Sequence, residues 1–120
     1  MRSDMLTSIL TELNGSSADI EASGVISTDG LMMASVLPAS MDEDRVGAMS
    51  AAMLSLGDRT AQELARGDLE QVLIKGMSGY VLMTYAGKEA VLTVLAKPNA
   101  KLGLIFLDVK RAAANIADLL

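Results

Sequence analysis

The sequence predicts an α+β fold, an α/β/α sandwich in which a five-stranded antiparallel sheet carries helices on both faces. Three observations predict it. Apolar residues switch from helical spacing to alternation and back, giving the order α-β-β-α-β-β-β-α. The last three strand-like runs are separated by two to four residues, which makes them consecutive antiparallel neighbours. Those runs are apolar on both sides, so helices must cover both faces. One domain over 1–120 is expected, with no repeat, linker or low-complexity tract.

The first helix is SDMLTSILTELNG (3–15). Ser3 is placed to cap it, Met5, Leu6, Ile9, Leu10 and Leu13 form its stripe, and Asn14-Gly15 supplies a left-handed stop. From Asp19 to Leu37 the period shortens. VISTDGLMMAS (25–35) sets two apolar runs around Asp29-Gly30, a pair that tolerates positive φ, and so predicts a β-hairpin closed by Pro38.

The second helix starts with a capping box, Ser40 with Glu43, and Asp42 complements the positive helix end. The pattern runs from Met41 to Arg66, roughly 39 Å at 1.5 Å per residue, and stops at Gly67. Val46, Met49, Met53, Leu56 and Leu64 mark a stripe expected to face the sheet. A second set, Gly47, Ser50, Ala51, Leu54 and Ala61 with Gly57 nearby, is small or apolar. Two glycines in an exposed helix would cost about 1 kcal/mol each without benefit. A helix with two non-polar flanks has two neighbours, and the second is expected to be its copy in a homodimer; the competing reading is one wide core stripe.

Strands follow at LEQVLIKG (69–76), YVLMTYA (80–86) and AVLTVLA (90–96), joined by MSG and GKE turns. Pro98 ends the sheet, and Asn99 is placed to cap a last helix reaching about Leu119. Its apolar face is Leu102, Ile105, Val109, Ala112, Ala113, Ile116 and Leu120.

Hydrophobic residues make up 51% of the chain and charged ones 21%, which excludes disorder. Cys and His are absent, so thiol nucleophiles, Cys/His zinc sites and imidazole catalysis are excluded together. A net charge of −5 with scattered Lys and Arg argues against a nucleic-acid partner. Phe106, Tyr80 and Tyr85 are the whole aromatic complement, too few for base stacking. MRSDML lacks the apolar core of a secretory signal, and no apolar run reaches the ~20 residues of a membrane helix. A soluble, cytoplasmic protein without membrane insertion is expected. The 9 Met suit cores and adaptable contact faces alike, and core filling is the expected use of most of them.

Gly87-Lys88 lacks the leading Gly and the Ser/Thr of a phosphate loop, and Gly76-Met77-Ser78-Gly79 has no helix after it; both read as hairpin turns. Asp42, Glu43 and Asp44 complement the helix dipole and have no converging ligands. No nucleophile arrangement is recognisable. Catalytic, cofactor and metal residues are therefore none, and the chain is expected not to be an enzyme.

The motifs taken together, GVISTDGLMMAS, SMDEDRVGAMSAAMLSLGDRTAQEL, LEQVLIKGMSGYVLMTYAGKEAVLTVLA and NAKLGLIFLDVKRAAANI, resemble the roadblock/dynein light-chain domain family, in particular its bacterial MglB-like branch. The likeness runs from about Met5 to Leu120. It implies a roadblock-like, profilin-like sheet with the second helix on one face and the terminal helices on the other. It implies a homodimer that pairs the second helices and the strand after them, here Gly47, Ser50, Ala51, Leu54, Ala61, Leu69, Gln71 and Leu73. It further implies a non-enzymatic regulator of a small Ras-like GTPase, with Asp42, Arg45, Arg59 and Arg66 as candidate GTPase contacts. The branch is expected to act by repositioning the GTPase's own groups, leaving these Arg as solvent-facing charge. A dimeric scaffold without effect on hydrolysis is the alternative; a small-molecule sensor would need an enclosed pocket.

Overall fold

The computed structural model describes residues 2–120. Its elements are α1 (Arg2–Ser16), β1 (Ile20–Ser27), β2 (Met32–Val36), α2 (Glu43–Glu63), β3 (Gln71–Gly76), β4 (Gly79–Ala86), β5 (Ala90–Ala96) and α3 (Leu102–Leu119). The expected order of helices and strands is the observed one. All five strands pair antiparallel in the order β2-β1-β5-β4-β3, so the last strand in sequence closes onto the first. β2 and β3 are the two edges.

Both faces of the sheet are apolar and both are covered. Leu6, Leu10 and Leu13 of α1 and Ile105, Val109 and Ile116 of α3 pack with Val25, Leu82, Leu92 and Val94 on one side. On the other side Leu54 of α2 packs with Ile26, Met83 and Val91, and Met32, Met53, Leu69 and Val72 close around them. The arrangement implied by the resemblance, α2 alone on one face and the terminal helices on the other, is present.

Several local expectations change. Ser3 lies inside α1, where its carbonyl accepts a bond from the Thr7 hydroxyl at 2.9 Å. Met5 is exposed, and the helix continues through Gly15 to Ser16. Asn14 spends its side chain on the sheet: its Oδ1 accepts from the buried Ser23 hydroxyl at 2.6 Å and its Nδ2 donates to the Val36 carbonyl at 3.4 Å. A tertiary bond thus replaces the expected stop.

In the first hairpin only Gly30 of the Asp-Gly pair takes positive φ, +93°. Ser27 closes the turn: its carbonyl accepts from the Gly30 amide at 2.9 Å and its hydroxyl from the Leu31 amide at 3.1 Å. Helix α2 is capped by Asp42, whose carboxylate accepts from the Asp44 amide at 2.9 Å. The Ser40–Glu43 box does not form, because Glu43 accepts from the Ser35 hydroxyl on β2 instead. Before α3, Asn99 caps nothing. Asp19, distant in sequence but next to the end of β5 across the β1–β5 pair, accepts the amides of Lys97 through its carbonyl and Lys101 through its carboxylate.

The other end of α2 is unusual. The Arg66 amide donates to the Ala61 carbonyl at 2.7 Å and the Ala65 amide to the Gln62 carbonyl at 3.1 Å, the paired bonds of a Schellman motif. The left-handed position belongs to Ala65, φ 58°, where glycine is the usual occupant.

Candidate functional site

Helix α2 has two non-polar flanks, as its sequence indicates, but their roles are the reverse of those expected. Gly47, Ser50 and Leu54 point into the subunit and are buried. A Cβ at Gly47 would stand 2.6 Å from the Gly30 carbonyl oxygen, so glycine is needed there for the approach of the β1–β2 turn. The Ser50 hydroxyl accepts a bond from the Thr93 hydroxyl at 2.7 Å beneath the helix. Ala51 and Ala61 are half-buried on the borders of the same stripe, and Gly57 lies over Leu69 and Val72. The small residues let the helix settle onto its own sheet.

The stripe expected to face the sheet is the outer one. Met49, Leu56 and Leu64 are 59%, 58% and 65% exposed, with half-buried Val46 and Met53 along their border. At 3.6 residues per turn this flank lies roughly a third of a turn from the buried stripe, on the side of Gly57. Since Gly57 sits over Leu69 and Val72, the flank borders the free edge β3. Ile74 pairs across to Val81, which packs with the α2 layer, so the half-exposed Ile74 extends the apolar surface onto β3.

The remaining candidates on β3 divide between faces. Leu69 is half-buried under α2. Gln71 and Leu73 pair with Thr84 and Leu82; Leu82 belongs to the α1/α3 layer, so both point to the opposite side from α2 and both are exposed. The four charged candidates are exposed as well. Asp42 serves as the α2 cap. Arg45 and Arg59 project beside the apolar flank, and Arg59 Nε pairs with Glu63 at 3.2 Å, an exposed contact that stabilises little. Arg66, beyond the helix, donates from its Nε to the Leu64 carbonyl at 3.1 Å. The eight interface candidates therefore do not form one surface, whereas Met49, Leu56, Leu64 and Ile74 are all exposed on the α2 side of the sheet.

Elsewhere the chemistry is sparse. Burial, with a smaller contribution from the Asp58 carboxylate, raises Tyr85 above the ordinary phenol value of 10.0. It opens onto a concavity of about 210 Å³ lined by Thr28, Ser55 and Asp58. A larger open groove, about 430 Å³, runs between α3 and the β3–β4 end of the sheet. Met83 is buried, Met32, Met33 and Met53 are partly so, and Met5, Met41, Met49 and Met77 are exposed. Among the described residues no helix is long and apolar enough to cross a membrane, and no group of His, Cys, Asp or Glu is gathered to hold a metal ion.

The Roadblock/LC7 domain model matches residues 6–96. The chain belongs to the Roadblock/LC7 domain family. A relative in this family, the protein MJ1340 of Methanocaldococcus jannaschii, is 45% identical over 112 residues, which cover 93% of this chain and 96% of the relative. Among solved structures, Myxococcus xanthus MglB superposes with a TM-score of 0.88 at 16% identity, covering 96% of this chain and 94% of that one. The Roadblock/LC7 domain from Streptomyces avermitilis also gives 0.88, at 19% identity, with coverage of 93% and 94%. The fold extends to Acanthamoeba castellanii profilin IB at a TM-score of 0.69, 13% identity and coverage of 94% and 97%. The roadblock-like, profilin-like architecture is therefore established for this chain.

Proposed function

We propose that this roadblock domain is a homodimeric, non-enzymatic platform that binds a small Ras-like GTPase and regulates it. The observation that carries the reading is the exposed Met49, Leu56, Leu64 and Ile74 surface, continuous with the unpaired backbone of β3. An open strand edge invites pairing with another chain, and a contiguous apolar patch marks an interaction surface. A two-fold axis beside β3 satisfies both at once: the two edge strands pair, and the two α2 flanks meet above them.

In such a dimer the paired α2 helices form a ridge, with Arg45 and Arg59 of each copy beside the seam and Asp42 and Arg66 at the helix ends. These are the groups offered to the GTPase. A regulator of this kind supplies a transition-state Arg or reorganises the GTPase's own residues. The MglB-like resemblance favours the second route; the exposed Arg59–Glu63 pair is too weak to decide between them.

The test combines mass and hydrolysis. Light scattering should give the mass of two chains. Adding a small Ras-like GTPase encoded beside this gene, loaded with GTP or GDP, should give a nucleotide-dependent complex and altered GTP hydrolysis. A complex with unchanged hydrolysis assigns the scaffold role instead. A single-chain mass, or no complex in either nucleotide state, refutes the proposal.

A further inference from the structure

We infer that the concavity holding Asp58 and Tyr85 is a pocket for one guanidinium group, carried by an arginine side chain of a partner. It lies apart from the surface proposed above. Counting about 100° per residue from the buried Leu54, Ala51, Ser55 and Asp58 fall on one side of α2, and Met49, Leu56 and Leu64 on the other. Pairing through the apolar flank and β3 leaves the pocket open, so the inference stands without the dimer.

Three segments build it. Thr28 comes from the β1–β2 turn, Ser55 and Asp58 from α2, and Tyr85 from the end of β4, around a floor of Leu54 and Val91. Burial falls from floor to rim: Leu54 and Val91 are buried, Asp58 and Tyr85 half-buried, Thr28 and Ser55 exposed. At about 210 Å³ the space exceeds what a single water needs. It falls short of the roughly 300–1,000 Å³ of a site for a drug-sized molecule. One side chain is the matching scale.

Charge and hydrogen bonding select which side chain. Asp58 is the only charged group lining the pocket. Among the described residues the one ion pair joins Arg59 to Glu63, which leaves Asp58 without a cation, and Thr28, Ser55, Asp58 and Tyr85 make no side-chain hydrogen bond. Lys88 and Glu89 in the adjoining β4–β5 turn are both exposed, and their charges offset. Arg59, next in sequence, stands about 100° further round the helix from Asp58. An anion is repelled by the carboxylate, and a neutral ligand displaces its water without pairing it. A cation meets both demands. The acceptors are two carboxylate oxygens, two hydroxyls and a phenol, with the Tyr85 ring beside them. A guanidinium offers five N–H donors in a plane, pairs with a carboxylate through two of them and stacks on aromatic faces, whereas an ammonium has three donors and holds its water more tightly. Leu54 and Val91 supply an apolar floor for the aliphatic stem.

The test uses the full chain and four probes: N-acetyl-arginine methylamide, its lysine and citrulline counterparts, and methylguanidinium, which lacks the stem. Amide NMR shifts should gather at Thr28, Ser55, Asp58 and Tyr85 and saturate for the arginine probe with a Kd on the order of a millimolar. The lysine probe and methylguanidinium should each bind at least about three-fold more weakly, and neutral citrulline should not saturate. Saturating arginine probe should also lower the pH at which Tyr85 ionises, since a nearby cation favours the phenolate. Asp58→Asn should weaken the arginine probe about ten-fold or more. Ser55→Leu, at an exposed position on the rim, should block the pocket and carries the same test if Asp58→Asn does not fold. Absence of saturable shifts, citrulline binding equal to arginine, or a folded Asp58→Asn protein that binds as wild type overturns the pocket. Methylguanidinium bound as tightly as the arginine probe assigns the site to a free small cation and overturns the side chain. None of these outcomes bears on the dimer or on the GTPase.

Discussion

Replacing Leu56 by Asp separates the outer flank of α2 from the inner one. Full burial of a leucine is worth about 1.5–3 kcal/mol, and Leu56 leaves 58% of its surface in water, so pairing of the flanks recovers about 1–1.7 kcal/mol per copy. A two-fold interface counts the loss twice, about 2–3.5 kcal/mol, and an aspartate pressed into the seam adds a desolvation penalty of about 1 kcal/mol or more. The dissociation constant should rise on the order of a hundred- to a thousand-fold. The isolated subunit should barely notice, since an exposed surface change is usually worth within about 0.5 kcal/mol. Light scattering across a concentration series should therefore show a folded single chain where wild type is paired. Its melting temperature should lose the concentration dependence of a dimer. Gly47→Ala is the control from the inner flank. A Cβ there meets the Gly30 carbonyl oxygen at 2.6 Å, so it should cost subunit stability whatever the concentration. A Leu56→Asp protein that stays paired, or that unfolds, would refute the assignment of the flanks.

Other expectations concern the subunit. Ser50→Ala leaves the buried Thr93 hydroxyl without its partner and should cost about 1–3 kcal/mol in urea unfolding, whereas Ser50→Ala with Thr93→Val should recover much of it. Additive losses would show that the pair does not act as a unit. Ala65→Gly should stabilise by about 1 kcal/mol, because it relieves a left-handed alanine that already closes a Schellman motif; a lower melting temperature would contradict this. Ultraviolet titration should find Tyr85 ionising above pH 10.0, and Asp58→Asn should bring it part of the way back, since burial is the larger cause. The sign for stability follows. The folded phenol keeps a proton that the unfolded one has released, so stability falls as pH rises beyond 10.0.

Much of the fold was legible in single residues. The alternation in 80–86 and 90–96 showed two apolar faces, and the structure fills them with two separate clusters. Ile105, Val109, Ala112, Ala113 and Ile116 were marked as a buried face by spacing alone, and they are buried. Helix ends are less legible in the sequence, because the groups that finish them come from distant segments. Asp19 serves the start of α3, Ser35 takes Glu43 from the expected capping box, and Ser23 and Val36 hold Asn14. Propensity ranks the local cap and is blind to a partner brought in by folding.

By itself the sequence determined that α2 has two non-polar flanks and that β3 follows it as an apolar strand, since periodicity is a property of the chain. Which flank meets the sheet was decided by tertiary structure. Small residues permit close approach without saying to what, and here the β1–β2 turn comes so near that Gly47 and Ser50 must lie inward. The larger Met49, Leu56 and Leu64 are thereby turned outward beside the free edge. The position of that edge depends on β5 closing onto β1, a pairing between distant segments that no local pattern encodes.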